Sequence, residues 1–315
     1  MQRKESHDKI KNMAQKITMK LGIMLGRIFK LLPQDIRKKI TVVLEKMISK
    51  SRGKFSSFLY ILSNEIVKHM YFSKNEEVFI VKKIFKDLKI RLDVSKKTQR
   101  ILYLQKLYEP RICNFLIKNL KEGEVFLDIG ANVGFYTLVG SQLVGQSGQI
   151  IAFEPEKKNF SNLVENVKIN NLKNVICINK AVSKINKKSK FFINPLNDGG
   201  GSLLKINSYN DDKEKWSLEK IKEHFPKINL EQDTETISLD QLFMTGEIKN
   251  PDLIKIDVDG NELNVLIGMQ SLFKLKNAPK IICEISQNKE EIIDILNKYN
   301  YKTEILLGKN FLFFK

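Results

Sequence analysis

The chain has 315 residues, 42% of them hydrophobic and 29% charged, which supports one large or two modest folded domains and excludes a disordered chain. Its formal charge is +18, yet residues 1–120 hold 28 basic and 10 acidic side chains while residues 121–315 hold 26 of each. A uniformly basic, histone-like protein is therefore excluded: the excess belongs to one end and the rest is electrically balanced.

The apolar residues Ile10, Met13, Ile17, Leu21, Met24, Ile28 and Leu31 step by three or four, which predicts an amphipathic helix stopped by Pro33. A second helix follows on Ile36, Ile40, Val43 and Met47 and closes at Gly53, and a third runs from Phe55 to Met70. These form a basic helical N-terminal extension, residues 1–75, whose three amphipathic helices are expected to bury one another's apolar stripes. Helix 10–32 also carries Lys11, Lys16, Lys20, Arg27 and Lys30, so peripheral contact with an anionic membrane is the competing expectation. Two β-like runs come next, EVFIVKKIF and KIRLDVS, and then one helix through YLQKLYEPRICNFLIKNL.

From Glu124 the pattern changes. EVFLDIG, QIIAFEP, NVICINKAVS, DLIKIDVDG and PKIICEIS are short apolar strands, separated by helical stretches that include FYTLVGSQLVG, KKNFSNLVENVKINN, ELNVLIGMQSLFK and NKEEIIDILNKYN. Two strands, YKTEILL and NFLFFK, end the chain. This alternation predicts an α/β fold with a mostly parallel, doubly wound sheet and a terminal antiparallel strand, over residues 76–315 with a core at 121–315. The alternation breaks at about 184–240, a stretch with Gly199-Gly200-Gly201 and Trp216; it is too long for a connection and reads as a functional lid or a disordered insert.

Two motifs carry chemistry. In FLDIGANVGFYT, Gly130 and Gly134 allow a tight strand-to-helix turn, Asn132 tolerates positive φ between them, and Asp128 closes the strand. Twenty residues after Gly134, Glu154 ends the next strand in FEP, where a carboxylate suits two ribose hydroxyls. The spacing is G-x-N-x-G, with Phe135 in the third glycine slot of a dinucleotide fingerprint, so a nucleoside fits better than NAD. In DLIKIDVDGNELNVLIG, the carboxylates Asp257, Asp259 and Glu262 gather at a strand end, where open sheets bind ligands. Glu262 suits the start of the next helix, and that capping role weighs evenly with a functional one. Lys255, inside the strand, is expected to pair with Asp257 or Glu284.

FLDIGANVGFYT, FEP, NKAVS, GGGS, TISLDQL, LIKIDVDGNELNVLIG and IICEIS occur in the order seen in FkbM-type S-adenosylmethionine-dependent methyltransferases, which the chain resembles from about residue 100 to its end. The resemblance implies a class I methyltransferase-like Rossmann sheet and S-adenosylmethionine as cofactor. It implies that Asp128, Gly130, Asn132 and Gly134 line the methionine part, that Glu154 binds the ribose, and that Phe153 lies beside the adenine. Asp257 would stand at the junction of cofactor and substrate. The implied reaction is O-methylation of a hydroxyl on a sugar, a glycan or a secondary metabolite. Family members usually carry Glu where this chain has Asp259.

An alcohol acceptor must lose its proton, and the histidines, His7, His69 and His224, stand outside both motifs. The base is therefore expected among carboxylates, Asp257 first and Asp259 second. A metal held by Asp257, Asp259 and Glu284 is conceivable, but no metal is expected. The alternative reading is a nucleic-acid-binding or nucleic-acid-modifying protein gripping through its basic helices. Only seven of the 54 cations are Arg, and Lys is the poorer residue for bidentate recognition, so no specific nucleic acid is expected. A non-catalytic scaffold is a third reading, disfavoured by the intact glycine loop and Glu154. Three scattered cysteines, Cys113, Cys177 and Cys283, read as reduced buried thiols. With no apolar run of membrane-spanning length and no signal-peptide pattern, the expected location is cytoplasmic, peripheral at most to the inner membrane face.

Overall fold

The structure, a computed structural model, describes residues 2–71, 77–105, 108–205, 209–210, 215–226 and 228–315. Ile10, Lys11 and His7 lie outside the described side chains, and Lys106, Leu107 and residues 206–208, 211–214 and 227 lie outside the described residues. The chain forms two compact units, residues 1–82 with 91–108 and residues 83–90 with 109–315. The first is wider than the 1–75 extension read from sequence, since 91–108 groups with the helices.

The first unit holds α1 (Gln2–Phe29), α2 (Gln34–Lys50), α3 (Gly53–Tyr71), the larger parts of β1 (Phe79–Lys83) and β2 (Lys89–Asp93), and α4 (Lys97–Leu104). Pro33, fixed at φ −55, is the N-cap of α2 and marks the predicted break after α1. α3 is the centre, touching α1, α2 and α4. α1 approaches it through Gly22 and Gly26: a Cβ on Gly22 would stand 2.6 Å from Glu65 Cβ, and one on Gly26 would stand 2.6 Å from the Ile66 carbonyl oxygen. α2 turns Arg37, Thr41 and Ile48 inward, and Arg37 Nη1 donates to the Met70 carbonyl at 3.2 Å.

The three helices do pack together, but not through the stripes expected to meet. Met13, Ile17, Leu21, Met24 and Ile28 of α1 are exposed, as are Leu31 in the turn that follows it and Ile36, Val43 and Met47 of α2. Thr18, Gly22 and Gly26 share the same four-residue period, and their small side chains allow a closer backbone approach than the large apolar row permits. Periodicity located the helices and misassigned their buried faces.

The first helix of the second unit is α5 (Pro110–Asn119). The single helix expected across 103–120 is thus two: α4 ends at Leu104 and α5 starts on Pro110, which has no N–H to bond backwards. There follow β3 (Val125–Ile129), α6 (Phe135–Val144), β4 (Gln149–Phe153), α7 (Lys157–Ile169), β5 (Val175–Ile178), β6 (Ala181–Val182), β7 (Lys187–Phe192), β8 (Tyr209–Asn210), β9 (Lys215–Trp216), α8 (Leu218–His224), β10 (Glu231–Ile237) and α9 (Leu239–Met244). The chain ends with β11 (Leu253–Ile256), α10 (Glu262–Ile267), α11 (Gln270–Phe273), β12 (Lys280–Glu284), α12 (Lys289–Lys298), β13 (Lys302–Leu307) and β14 (Asn310–Phe314).

The main sheet has seven strands in the order β13-β14-β12-β11-β3-β4-β5. β12, β11, β3, β4 and β5 are parallel, and β14 runs antiparallel to both β12 and β13. This is the expected α/β class I methyltransferase sheet. The chain winds from β3 outwards to β5 and returns to β11 on the other side of β3, so the topological switch point lies between β3 and β11. Leu127, Ile129, Ile151, Phe153, Ile254, Ile256, Leu272 and Phe313 belong to one continuous core.

The third predicted strand is two short ones. β5 edges the main sheet, while β6 joins β10 and β7 in a separate three-stranded sheet. Asn179 makes the corner, its amide donating to the carbonyls of Glu154 at 2.8 Å and Pro155 at 3.2 Å. The described part of the 184–240 stretch is therefore an ordered subdomain, with β7 and β10 antiparallel and Trp216 buried. The helix expected over 262–274 is broken into α10 and α11 at Gly268, whose carbonyl accepts from Asp240 N and Ser238 Oγ. None of the three cysteines is in a disulfide; Cys113 and Cys283 are buried and Cys177 is half-buried.

Candidate active site

β3 runs into the switch point and stops at Ile129, and the chain turns through Gly130 (φ +82), Asn132 (φ +52) and Gly134 (φ +93) into α6. At Gly130 both freedoms of glycine are needed: the left-handed backbone, and room for the neighbouring strand, since a Cβ would lie 1.8 Å from the Asp257 carbonyl oxygen. The two motifs are thereby joined, with Asp257 N donating to the Ile129 carbonyl at 3.0 Å.

Glu154 sits at the end of β4, facing that turn. Its Oε2 accepts from Asn132 N and its Oε1 from Glu156 N, each at 2.8 Å. Burial first, then the charge of Glu156, pushes its pKa up to about 8. Asp128 is buried too, with Oδ2 accepting from Thr137 Oγ1 at 2.6 Å and Oδ1 having no hydrogen-bond partner among the described residues. Burial raises its pKa against the lowering influence of Lys255 and Thr137. Phe153 is placed differently from the expectation. Its side chain is wholly buried in the main core, so it packs beneath the site and presents no exposed face for a base to stack on.

Asp257, Asp259 and Glu262 all lie beyond the end of β11. Lys255 Nζ, buried, lies 2.9 Å from Asp257 Oδ2 and 4.7 Å from the centre of the Tyr136 ring. Tyr136 in turn donates its hydroxyl to the Glu109 carboxylate. Burial would lower the Lys255 pKa, but Asp257, Asp128 and Glu109 outweigh it and hold the ammonium above its ordinary value. Asp259 occupies a left-handed position (φ +44) before Gly260 (φ +96). Burial and the charges of Asp257, Glu284 and Glu262 push its pKa up to about 8, and burial with Asp257 pushes Glu284 up to about 7. Glu262 closes the turn locally, its Oε1 accepting from Gly260 N at 2.9 Å.

The glycine-rich stretch lies across both motifs. The Asp198 carbonyl accepts from Asn132 Nδ2 and Asn159 Nδ2, each at 2.8 Å, and Ser202 Oγ donates to the Asp259 carbonyl at 2.8 Å. Sequence reasoning named the stretch but none of these latches, because all three end on a backbone carbonyl that leaves no residue signature. Tyr136 and Glu109 were also missed; an acidic residue directly before Pro110 was the available signal.

The donor set suits S-adenosylmethionine. Once ionised, Glu154 offers only acceptor oxygens, as a ribose diol requires, and the unmatched buried Oδ1 of Asp128 is an acceptor that an α-ammonium would satisfy. The family model for the methyltransferase FkbM domain matches residues 128–303, more than half of the chain. The chain belongs to that family. It is an S-adenosylmethionine-dependent methyltransferase of FkbM type, and a second model, for protein-L-isoaspartate(D-aspartate) O-methyltransferase, matches residues 60–183. Among relatives, the hexuronic acid methyltransferase AglP of Haloferax volcanii is 24% identical over 197 residues, covering 62% of this chain and 71% of AglP. Methyltransferase 1 of Beauveria bassiana is 28% identical over 149 residues, covering 45% of this chain and 57% of that protein. A solved FkbM methyltransferase from Methylobacillus flagellatus aligns over 87% of this chain and 58% of its own, at 12% identity and TM-score 0.40.

Proposed function

We propose that this FkbM-family enzyme methylates a hydroxyl of a sugar or glycan, with Asp259 accepting the hydroxyl proton. The observation that carries the reading is the acidic group at the switch point: Asp259 and Glu284, with pKa values raised to about 8 and about 7, beside an Asp257 already engaged by Lys255. When bound, S-adenosylmethionine supplies a methyl group already activated on a sulfonium. Ionised Glu154 would accept from the ribose hydroxyls and Asp128 from the α-ammonium, which would fix the donor. Lys255 clamps Asp257 as an orienting charge, so the proton-accepting role falls to Asp259 in place of Asp257, the first candidate from sequence. A carboxylate with a pKa close to the working pH is partly ionised and can still hold a proton, as general-base catalysis asks. Positioning of the acceptor oxygen against the methyl supplies the rest of the rate.

The hexuronic acid in the name of the Haloferax relative makes uronic acids the first acceptors to test. The purified protein, given methyl-labelled S-adenosylmethionine, is offered free and nucleotide-linked hexuronic acids, neutral hexoses, simple alcohols and RNA, and the product is read by mass spectrometry and NMR. Label in an O-methyl group of a sugar is the expected result. Label found only on nitrogen, carbon or RNA, or an Asp259→Asn variant as fast as the parent, overturns the reading.

A further inference from the structure

We propose that α1 docks the protein on an anionic phospholipid bilayer, lying in the interface with its exposed apolar stripe inserted among the headgroups. The proposal does not depend on the identity of the methyl acceptor. Three observations carry it. The stripe is continuous: Met13, Ile17, Leu21, Met24, Ile28 and Leu31 recur every three or four residues, and all are exposed, from 39% at Leu21 to 86% at Leu31. The opposite face, Thr18, Gly22 and Gly26, is already used against α3, so the stripe is the outward side of a folded unit and not a core waiting for these neighbours.

The charge is one-sided as well. No Asp or Glu occurs from Lys9 to Gln34, while Lys16, Lys20 and Arg27, all exposed, fall along one border of the stripe at about 100° per residue. Residues 1–120 carry the whole net +18 of the chain. A second copy would bring the same uncompensated positive border against itself, and a nucleic acid would leave the apolar row in water. An anionic bilayer satisfies both halves, apolar burial and charge attraction. No described helix is long and apolar enough to cross a membrane, so the helix lies on the surface.

The test is flotation of the full chain with vesicles of pure phosphatidylcholine and of one part phosphatidylglycerol to two of phosphatidylcholine, at low and high salt. Flotation is expected with the anionic vesicles and weakens as salt rises. The triple variant Ile17→Ser, Met24→Ser, Ile28→Ser changes only exposed side chains, and it should float roughly tenfold less or worse while keeping its thermal transition and S-adenosylmethionine binding. Lys16→Glu, Lys20→Glu, Arg27→Glu should lose a similar amount on anionic vesicles. No flotation of the parent, or equal flotation of the serine variant, overturns the proposal. So does a concentration-dependent dimer that the serine variant disperses without any vesicle binding by the parent.

Discussion

In β3 every residue from Val125 to Ile129 is buried, Asp128 included, whereas in α1 the large apolar residues face solvent and the buried positions are Thr18, Gly22 and Gly26. Both are regular elements built on a periodic sequence, and they are packed by opposite rules. β3 is covered on both faces, so hydrophobicity decides what lies inside and even its carboxylate is enclosed. Among the described residues α1 meets chiefly α3, along one line, so shape decides, and the smallest side chains win the contact. The difference implies that substitutions in the two regions should respond to different properties, volume and backbone conformation in one, solvent chemistry in the other.

The harshest way to probe the first region is Gly130→Ala. The methyl would meet the Asp257 carbonyl oxygen at 1.8 Å and force an alanine into φ +82. Overpacking and left-handed strain together cost about 4 kcal/mol or more, so thermal unfolding should drop steeply and cofactor binding should vanish with it. Asp259→Asn tests the chemistry at the same switch point. It should lower kcat by about a hundredfold or more with little change in cofactor affinity, and remove an alkaline-rising limb near pH 8 set by Asp259. An unchanged profile would move the base elsewhere in the acidic group.

In the helical unit the strongest effect should come from the contact that looks least hydrophobic. Gly26→Val would place side-chain carbon 2.6 Å from the Ile66 carbonyl oxygen and cost about 1–3 kcal/mol, read as a fall in the unit's unfolding midpoint. A neutral outcome would mean that α1 can slide on α3 and that the small face is incidental.

These cases mark what was legible in the sequence. The sheet unit could be read because its strands are short continuous apolar runs and its glycines answer to backbone geometry; Asp128, Gly130, Asn132, Gly134, Glu154, Asp257 and Asp259 do converge on the β3–β11 switch point. Phe153 was misplaced because adjacency in sequence to Glu154 says nothing of which side of the strand it faces, and it faces the core. The latches through the Asp198 and Asp259 carbonyls were invisible because any residue offers a carbonyl. The buried face of α1 was misread because hydrophobic period and packing period are the same number and only the side-chain volumes differ.

Glu154 gives a subtler contrast, visible in pH alone. Its folded pKa is raised to about 8 from an ordinary value of 4.5, so the stability it contributes is full below the ordinary value and is lost as pH rises through about 8. Ribose hydroxyls donate to the ionised form, so cofactor affinity should rise over the same interval. The cofactor-free protein should thus lose thermal stability towards pH 8 while S-adenosylmethionine binding, followed by calorimetry, tightens several-fold. Glu154→Gln should flatten both curves. Two curves moving in the same direction would mean that the carboxyl is already ionised at neutral pH.

The smallest effect is the most discriminating for the helical unit. Met24 is exposed and lies across α1 from Gly22 and Gly26, so Met24→Ser removes apolar surface that was never taken out of water on folding. Its cost in the isolated protein should stay within about 0.5 kcal/mol, measured by chemical denaturation without lipid. The same change in a core position such as Leu127, fully buried beneath the switch point, should cost several times more, about 2–5 kcal/mol. If Met24→Ser proved as costly as a core substitution, the stripe would be internal to some assembly of this chain, and the bilayer would lose its claim on α1. If it proved silent in solution and weakened vesicle binding, the stripe would be a surface kept apolar for its partner and not for the fold.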